Sequence, residues 1–341
     1  MTEPHLHARF PALRGGLPHV ALGERPSPVR RLTALEDGPG PELWLKDDGA
    51  FGDGGWGGNK VRKLEWLLPD ARRRGRRTIL TFGGLGTNWG LATALYARDQ
   101  GLRTALVLVD QPIDDHVRAQ LGRLERSGAT LHRVRDKRGV LLRLPALLAR
   151  HAGGGRPPYL LPPGGSSPVG ALGYVDAAFE LAAQVAAGAL PEPAHLVTAV
   201  GSGGTAAGLV VGLRAAGLRT RVVGVVVNDQ LRLDERAVLG LARRTATLLR
   251  RRGADLDPDP DPVADDGLLL VREWLGDGYG HATAEGDRAV RLAGEREGLA
   301  LDPVYTGKAL AALLDMRASG RLGEGPVLFL DTNGPRPDAV R

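Results

Sequence analysis

The sequence contains no cysteine, and this absence excludes several kinds of chemistry at once. Disulfide bonds, thiolate metal sites and a cysteine nucleophile are all ruled out. Lysine is scarce too, with five among the 45 basic residues, so each lysine is a candidate for a specific role. The eight histidines show no H-E-x-x-H or similar spacing, and we predict no metal site.

Long apolar runs are also missing. No stretch reaches the roughly 18 uninterrupted apolar residues of a membrane span, and the N-terminal residues lack the apolar core of a signal peptide. We therefore expect a cytoplasmic protein without membrane contact. The net charge of +6 comes from arginines spread along the chain, which favours solvated helix surfaces over a nucleic-acid site.

The composition that remains is that of a folded α/β protein. The 341 residues, 43% of them hydrophobic, suffice for two lobes of roughly 100 to 200 residues each. Apolar runs such as TILTFGG, TALVLVD, RVVGVVV and PVLFLDTNG alternate with Ala/Leu-rich helical stretches. This alternation predicts two open twisted parallel sheets with a crevice between them. We place a large domain at residues 1–61 and 166–341 and a small domain at residues 62–165.

One glycine-rich turn lies between a buried strand and a helix in VTAVGSGGTAAGLVVGL. Its backbone N–H groups would point into one concavity at a helix N-terminus, which favours an anion such as phosphate. A tight bend without a ligand is the alternative. No G-K-[ST] follows, and the dinucleotide pattern G-x-G-x-x-G fits only loosely. The turn consists of Gly201, Ser202, Gly203, Gly204 and Thr205.

A second motif, GGWGGNKVRKLEW, brings the chain through glycines tightly up to Lys60. The following residues have helical spacing, which predicts that Lys60 stands at or near a helix start. The partial positive charge of a helix N-terminus disfavours an ammonium group there and favours the neutral, nucleophilic amine. A surface lysine without a role is the alternative that this motif alone leaves open.

Four motifs in this order resemble one enzyme family: GGNKVRKLEW, GGLGTN at residues 83–88, GSGGTAAG, and LDPVYTGKA at residues 301–309. They are similar to the D-cysteine desulfhydrase and 1-aminocyclopropane-1-carboxylate (ACC) deaminase family, a branch of the fold-type II pyridoxal 5'-phosphate (PLP) enzymes. The tryptophan synthase β subunit has the same fold type. The resemblance runs from about Glu42 to about Gly334. It implies PLP in the crevice between the two domains, a small amino-acid substrate and a homodimer.

The resemblance also implies roles for particular residues. Lys60 would hold PLP as a Schiff base and, once released, serve as a base. The glycine-rich turn and Lys63 would contact the cofactor phosphate, and Asn88 would hydrogen-bond the ring hydroxyl. Tyr305 and Tyr279 would reach the substrate as acid–base or hydrogen-bonding groups, although a packed tyrosine with a satisfied hydroxyl is equally open for Tyr279.

Thr306 bears on the reaction type. ACC deaminases resemble Y-E-G-K at this point, whereas D-cysteine desulfhydrases resemble the Y-T-G-K found here. A threonine hydroxyl would donate to or share a neutral ring nitrogen, and a neutral ring is the weaker electron sink. We therefore predict a PLP-dependent lyase that removes an α-proton and a β-leaving group from a small amino acid.

Several alternatives stay open. The chain could be an ACC deaminase, or a biosynthetic PLP enzyme performing β- or γ-elimination or replacement on another amino acid. A PLP-binding homologue without catalysis is a further option. The last is a nucleotide-binding oxidoreductase that uses GSGGTAAG as a dinucleotide loop.

The substrate loop departs from the family pattern. Family members resemble Q-S-N-H there, whereas this chain has Gly86, Thr87, Asn88 and Trp89. Thr87 keeps a hydroxyl that can bind a substrate carboxylate, and we count it among the catalytic residues. Trp89, together with Trp56 ahead of GGNK, is expected to reshape the pocket. The cofactor site is thus predicted to be intact, while the substrate and its chirality stay open.

Overall fold

The computed structural model describes residues 3–52, 57–113, 115–256 and 267–334. The predicted pocket residue Trp56 lies outside these ranges. The strands are β1 Val29–Arg31, β2 Leu43–Asp47, β3 Thr78–Gly84, β4 Arg103–Val109, β5 Thr130–Val134, β6 Tyr159–Leu160, β7 His195–Val200, β8 Arg221–Val226, β9 Leu268–Val271 and β10 Val327–Asp331. The α-helices are α1 His5–Arg9, α2 Asn59–Arg73, α3 Asn88–Asp99, α4 Asp115–Arg126, α5 Lys137–Arg150, α6 Pro168–Ala186, α7 Gly204–Ala215, α8 Glu235–Arg251, α9 Ala284–Glu297 and α10 Thr306–Ala318.

The strands form two sheets. The larger has the order β1-β2-β10-β7-β8-β9 and the smaller has the order β5-β4-β3-β6. All pairs are parallel except β1 with β2, which is antiparallel. The predicted α/β fold with two parallel sheets is confirmed. Strands β3 to β6 all come from the segment assigned to the small domain, while the boundaries after residues 61 and 165 stay predictions.

Helices cover both faces of the larger sheet, which explains its continuous apolar runs. Successive side chains of a strand point to opposite faces. In β8, Val222 and Val226 belong to one apolar core, which contains residues of α6, α7 and α8. Val223 and Val225 belong to a second core, formed with α9 and α10. Among the described residues, no helix is long and apolar enough to cross a membrane.

Helix α2 packs closely on α6. A Cβ atom added at Gly173 of α6 would lie 2.2 Å from the carbonyl oxygen of Arg62. Any larger residue would therefore push the two helices apart. Since α6 also packs on α7, these contacts place the start of α2 beside the glycine-rich turn that precedes α7.

Candidate active site

A cleft lies where the C-terminal ends of β3, β7 and β10 face one another, the usual ligand position in parallel α/β folds. Its volume of about 320 Å³ falls within the roughly 300–1,000 Å³ typical of small-molecule sites. Most of the residues singled out in the sequence line it. They are Lys60, Lys63, Thr87, Asn88, Trp89, Gly201, Ser202, Gly203, Thr205, Tyr279 and Tyr305. Gly204 and Thr306 are not among the lining residues.

Lys60 is the second residue of α2, so the predicted helix start is confirmed. The preceding Gly58 has a φ of 93°, a conformation that favours glycine. A Cβ atom there would lie 2.5 Å from the carbonyl oxygen of Thr332 at the end of β10. The Lys60 amine lies 6.0 Å from the centre of the Tyr305 ring. The glycine thus lets the chain turn sharply and bring the amine into the cleft.

The glycine-rich turn leads directly from β7 into α7. Gly203 precedes α7 with a φ of 82°, so this turn also requires a left-handed residue. The N–H of Gly204 donates to the Ser166 hydroxyl at 3.0 Å, and Ser166 donates to the Ser202 hydroxyl at 2.8 Å. Gly204 is therefore directed towards Ser166 in this structure, and the predicted role of its N–H on a phosphate stays a prediction.

Lys63 is buried one helical turn after Lys60, and its amine donates to the carbonyl oxygen of Gly164 at 3.1 Å. Burial and then repulsion from Lys60 lower the pKa of Lys63 to about 7. Among the described residues, no carboxylate forms an ion pair with Lys63. The side-chain NH2 group of Asn59, one helical turn earlier, donates to the Thr205 hydroxyl at 3.3 Å. The Lys63 amine and the hydroxyls of Ser202 and Thr205 line this part of the cleft, and these donors fit the phosphate of a cofactor.

The two tyrosines face each other in the cleft. The Tyr305 hydroxyl donates to the Tyr279 hydroxyl at 2.9 Å, and the rings are nearly perpendicular. Burial raises the pKa of Tyr279, which keeps this phenol protonated at neutral pH. The sequence could not foresee this pairing, because the two residues lie on separate segments.

Thr87 and Trp89 of the predicted substrate loop each make a hydrogen bond within the protein. The Thr87 hydroxyl caps α3 by accepting from the N–H of Gly90 at 3.1 Å. The buried Trp89 indole donates to the Thr81 hydroxyl at 2.8 Å. Because the single donor of Trp89 is bonded to Thr81, the indole contributes only apolar surface to the cleft.

Thr306 is hydrogen-bonded to a residue of its own turn. Its buried hydroxyl donates to the Asp302 carboxylate at 2.9 Å and accepts from the Asp302 N–H at 2.9 Å. A hydroxyl has one proton, and here Asp302 receives it. The Thr306 proton is thus directed to Asp302 in this structure, and the predicted contact of Thr306 with a neutral ring nitrogen stays a prediction. Asp302 lines the cleft and was not foreseen from the sequence.

A cluster of buried charges lies on the other side of α2. Arg62 donates to Asp48 and Glu180, each at 2.8 Å, while Lys46 contacts Glu180 at 2.6 Å. The Tyr174 hydroxyl also donates to Asp48 at 2.7 Å. Burial disfavours the Arg62 charge, but the two carboxylates outweigh it and hold the pKa of Arg62 well above its usual value. The cluster ties α2 to β2 and α6.

Comparison with known proteins supplies the family. A profile described as pyridoxal-phosphate dependent enzyme matches residues 20–332. The chain belongs to this family. The fold-type II architecture, the cofactor PLP and the resemblance that the motifs indicated are thereby confirmed. The oxidoreductase alternative is wrong. As a PLP-dependent enzyme, the chain acts on a small amino-acid substrate, as predicted.

Individual relatives of this PLP-dependent enzyme cover nearly its whole length. A putative ACC deaminase of Pyrococcus abyssi is 35% identical over 96% of this chain and 95% of that protein. A D-cysteine desulfhydrase of Klebsiella pneumoniae is 36% identical over 93% of this chain and 94% of that protein. The crystal structure of an ACC deaminase homologue, 32% identical, covers 97% of this chain and 95% of its own, with a TM-score of 0.80.

Proposed function

We propose that this PLP-dependent enzyme is a lyase that eliminates a β-leaving group from a small amino acid, in the manner of a D-cysteine desulfhydrase. The observation that carries the proposal is the placement of one amine and two phenols in a single cleft: Lys60 lies beside the Tyr305 ring, and Tyr305 is hydrogen-bonded to Tyr279. This arrangement offers a base and a proton relay to one substrate. The relative from Klebsiella pneumoniae carries the name D-cysteine desulfhydrase.

The cofactor would be held at two ends. Lys60 is the attachment point for the PLP aldehyde, because its amine enters the cleft directly from the helix start. The phosphate would occupy the corner formed by Lys63 and the turn Gly201, Ser202, Gly203, Gly204 and Thr205. Asn88 would donate to the ring hydroxyl. When bound, PLP supplies an electron sink for the pair of electrons left by the departing α-proton.

The protein's own residues would then divide the remaining tasks. The Lys60 amine takes the α-proton. Thr87 holds the substrate carboxylate. The Gly90 N–H donates to a lone pair of the Thr87 hydroxyl, so the hydroxyl proton of Thr87 is left to donate to the substrate. Tyr279 and Tyr305 pass a proton to the leaving group, a role that suits Tyr279 because burial raises the pKa of its phenol. The indole of Trp89 keeps water from that wall of the cleft.

ACC deamination is the second candidate, and the Asp302–Thr306 pair favours it. ACC deaminases have a carboxylate side chain where this chain has Thr306. Here the Thr306 hydroxyl donates to the Asp302 carboxyl group at 2.9 Å, so a carboxyl group lies one hydrogen bond further away. The relative from Pyrococcus abyssi is named a putative ACC deaminase.

The decisive assay offers the PLP-loaded protein D-cysteine, L-cysteine, D-serine and ACC in turn. For D-cysteine, one water enters and pyruvate, hydrogen sulfide and ammonia leave in equal amounts. We expect sulfide release from D-cysteine to be faster than product release from the other three substrates, and we expect none from Lys60→Ala. 2-Oxobutyrate from ACC as the main product would favour the second candidate. PLP binding without product from any substrate would contradict a lyase and leave a non-catalytic homologue.

A homodimer and a cytoplasmic location are further parts of the proposal. The homodimer rests on the family resemblance, and the location keeps the expectation drawn from the sequence. Light scattering after gel filtration of the PLP-loaded protein tests the first. We expect about twice the chain mass of 36.1 kDa, and a single chain mass at micromolar concentration would contradict the dimer.

A further inference from the structure

Gln120 on α4 lies behind the cleft and is not one of its lining residues. Its side chain is completely buried. Its amide nitrogen donates to the side-chain oxygen of Asn88 at 3.0 Å. Asn88 is the first residue of α3 and lines the cleft. A buried amide therefore contacts the asparagine proposed to hold the cofactor ring.

The contact determines which end of the Asn88 amide faces the cleft. A primary amide has an acceptor oxygen at one end and a donor NH2 group at the other. Since Gln120 occupies the oxygen, the NH2 group of Asn88 is the end left for a ligand. Within the described residues, this NH2 group of Asn88 donates to no acceptor.

A third residue fixes the Gln120 amide in turn. The Arg123 guanidinium donates to the side-chain oxygen of Gln120 at 3.4 Å. A guanidinium has donors only, so the oxygen of Gln120 must face Arg123 and its nitrogen must face Asn88. The three side chains thus form a series in which each donor orients the next.

We propose that Gln120 is a positioning residue that holds the Asn88 NH2 group towards the cleft, where it donates to the ring oxygen of PLP. The inference rests on the proposed placement of the cofactor. An amide turned the other way would present its oxygen to an oxygen, which replaces a hydrogen bond by repulsion. Gln120 acts on cofactor affinity through Asn88 and does not itself contact the cofactor.

The test measures PLP dissociation constants by titrating cofactor-free protein and following tryptophan fluorescence. Gln120→Glu is nearly isosteric, but its carboxylate only accepts, so Asn88 must turn its NH2 group away from the cleft. We expect PLP affinity to fall about tenfold or more. Ala119→Glu, which adds the same charge at an exposed neighbouring position, should leave the affinity within about twofold of wild type.

Gln120→Met supplies a second variant if the buried charge of Gln120→Glu prevents folding, which unfolding of the cofactor-free protein reports. Methionine neither donates nor accepts strongly, so Asn88 can adopt both orientations. We expect a loss of affinity smaller than that of Gln120→Glu. Wild-type affinity in every variant that folds would overturn the proposal.

A double-mutant cycle separates positioning from general structural damage. If Gln120 acts through Asn88, then Gln120→Glu has no further effect on PLP affinity in an Asn88→Ala background. An equal loss in both backgrounds would assign Gln120 a structural role and overturn the inference. If the wild-type protein itself does not bind PLP, both the proposed function and the inference about Gln120 fail. Normal binding by wild type and by Gln120→Glu defeats the inference alone.

Discussion

Arg62 and Lys63 are adjacent buried cations on α2, yet their surroundings are opposite. Arg62 contacts the carboxylates of Asp48 and Glu180, and its pKa is held well above the usual value. Lys63 has a neutral carbonyl as its hydrogen-bond acceptor, and burial lowers its pKa to about 7. A buried charge normally needs a partner. The charged side chains on one side of the helix therefore pair with each other, while Lys63 on the other side is available for the cofactor phosphate that we propose there.

Replacement of Arg62 should have the largest effect on folding. Arg62→Met leaves Asp48 and Glu180 buried without their main partner, and we expect the free energy of unfolding to fall by about 3–5 kcal/mol. Urea unfolding of the cofactor-free protein measures this. Arg118→Met removes an exposed ion pair with Asp115 and should cost less than about 1 kcal/mol. Equal effects of the two variants would contradict a supporting role for the buried cluster.

Replacement of Lys63 should produce the opposite pattern. Lys63→Met removes a buried charge without a carboxylate partner among the described residues, so the cofactor-free protein should lose no stability. PLP affinity should fall about tenfold to a hundredfold, because a charge-assisted hydrogen bond to the phosphate is lost. Titration with PLP and unfolding of the same sample give both values. A clear loss of stability with unchanged PLP affinity would reverse the contrast with Arg62.

The contrast between Arg62 and Lys63 also predicts a pH dependence of stability, which is small per pH unit. The pKa of Lys63 is about 7 in the folded protein, against a usual value of 10.5. Between these values the unfolded chain holds a proton that the folded chain has released, so stability rises with pH by at most about 1.4 kcal/mol per unit. We expect this contribution in cofactor-free wild type and its loss in Lys63→Met. Identical pH profiles would show that Lys63 keeps its proton when buried.

The cofactor side of the cleft was largely predictable from the sequence. Lys60 at a helix start and the turn from Gly201 to Thr205 depend on contiguous glycine-rich motifs, and a left-handed backbone there needs glycine. The order of strands and helices was equally readable from the apolar runs.

The supporting contacts were not predictable, because they join distant segments. Arg62 and Glu180 are 118 residues apart, and Gln120 and Asn88 are 32 residues apart. A buried glutamine and a surface glutamine look alike in a single sequence. The hydrogen bond from Thr306 to Asp302, four residues before it, was not predicted either, because only the backbone turn brings the two side chains together.

The most direct test of the account is chemical trapping of PLP on the protein. Borohydride reduction fixes the cofactor on the lysine that holds it, and proteolysis with mass spectrometry then locates it. Cleavage after Arg62 separates Lys60 from Lys63, so the two neighbours are distinguished. We predict the added mass on the fragment that contains Lys60, with Lys63 unmodified. Label on Lys63 or on another lysine, or no label on PLP-saturated protein, would contradict the account.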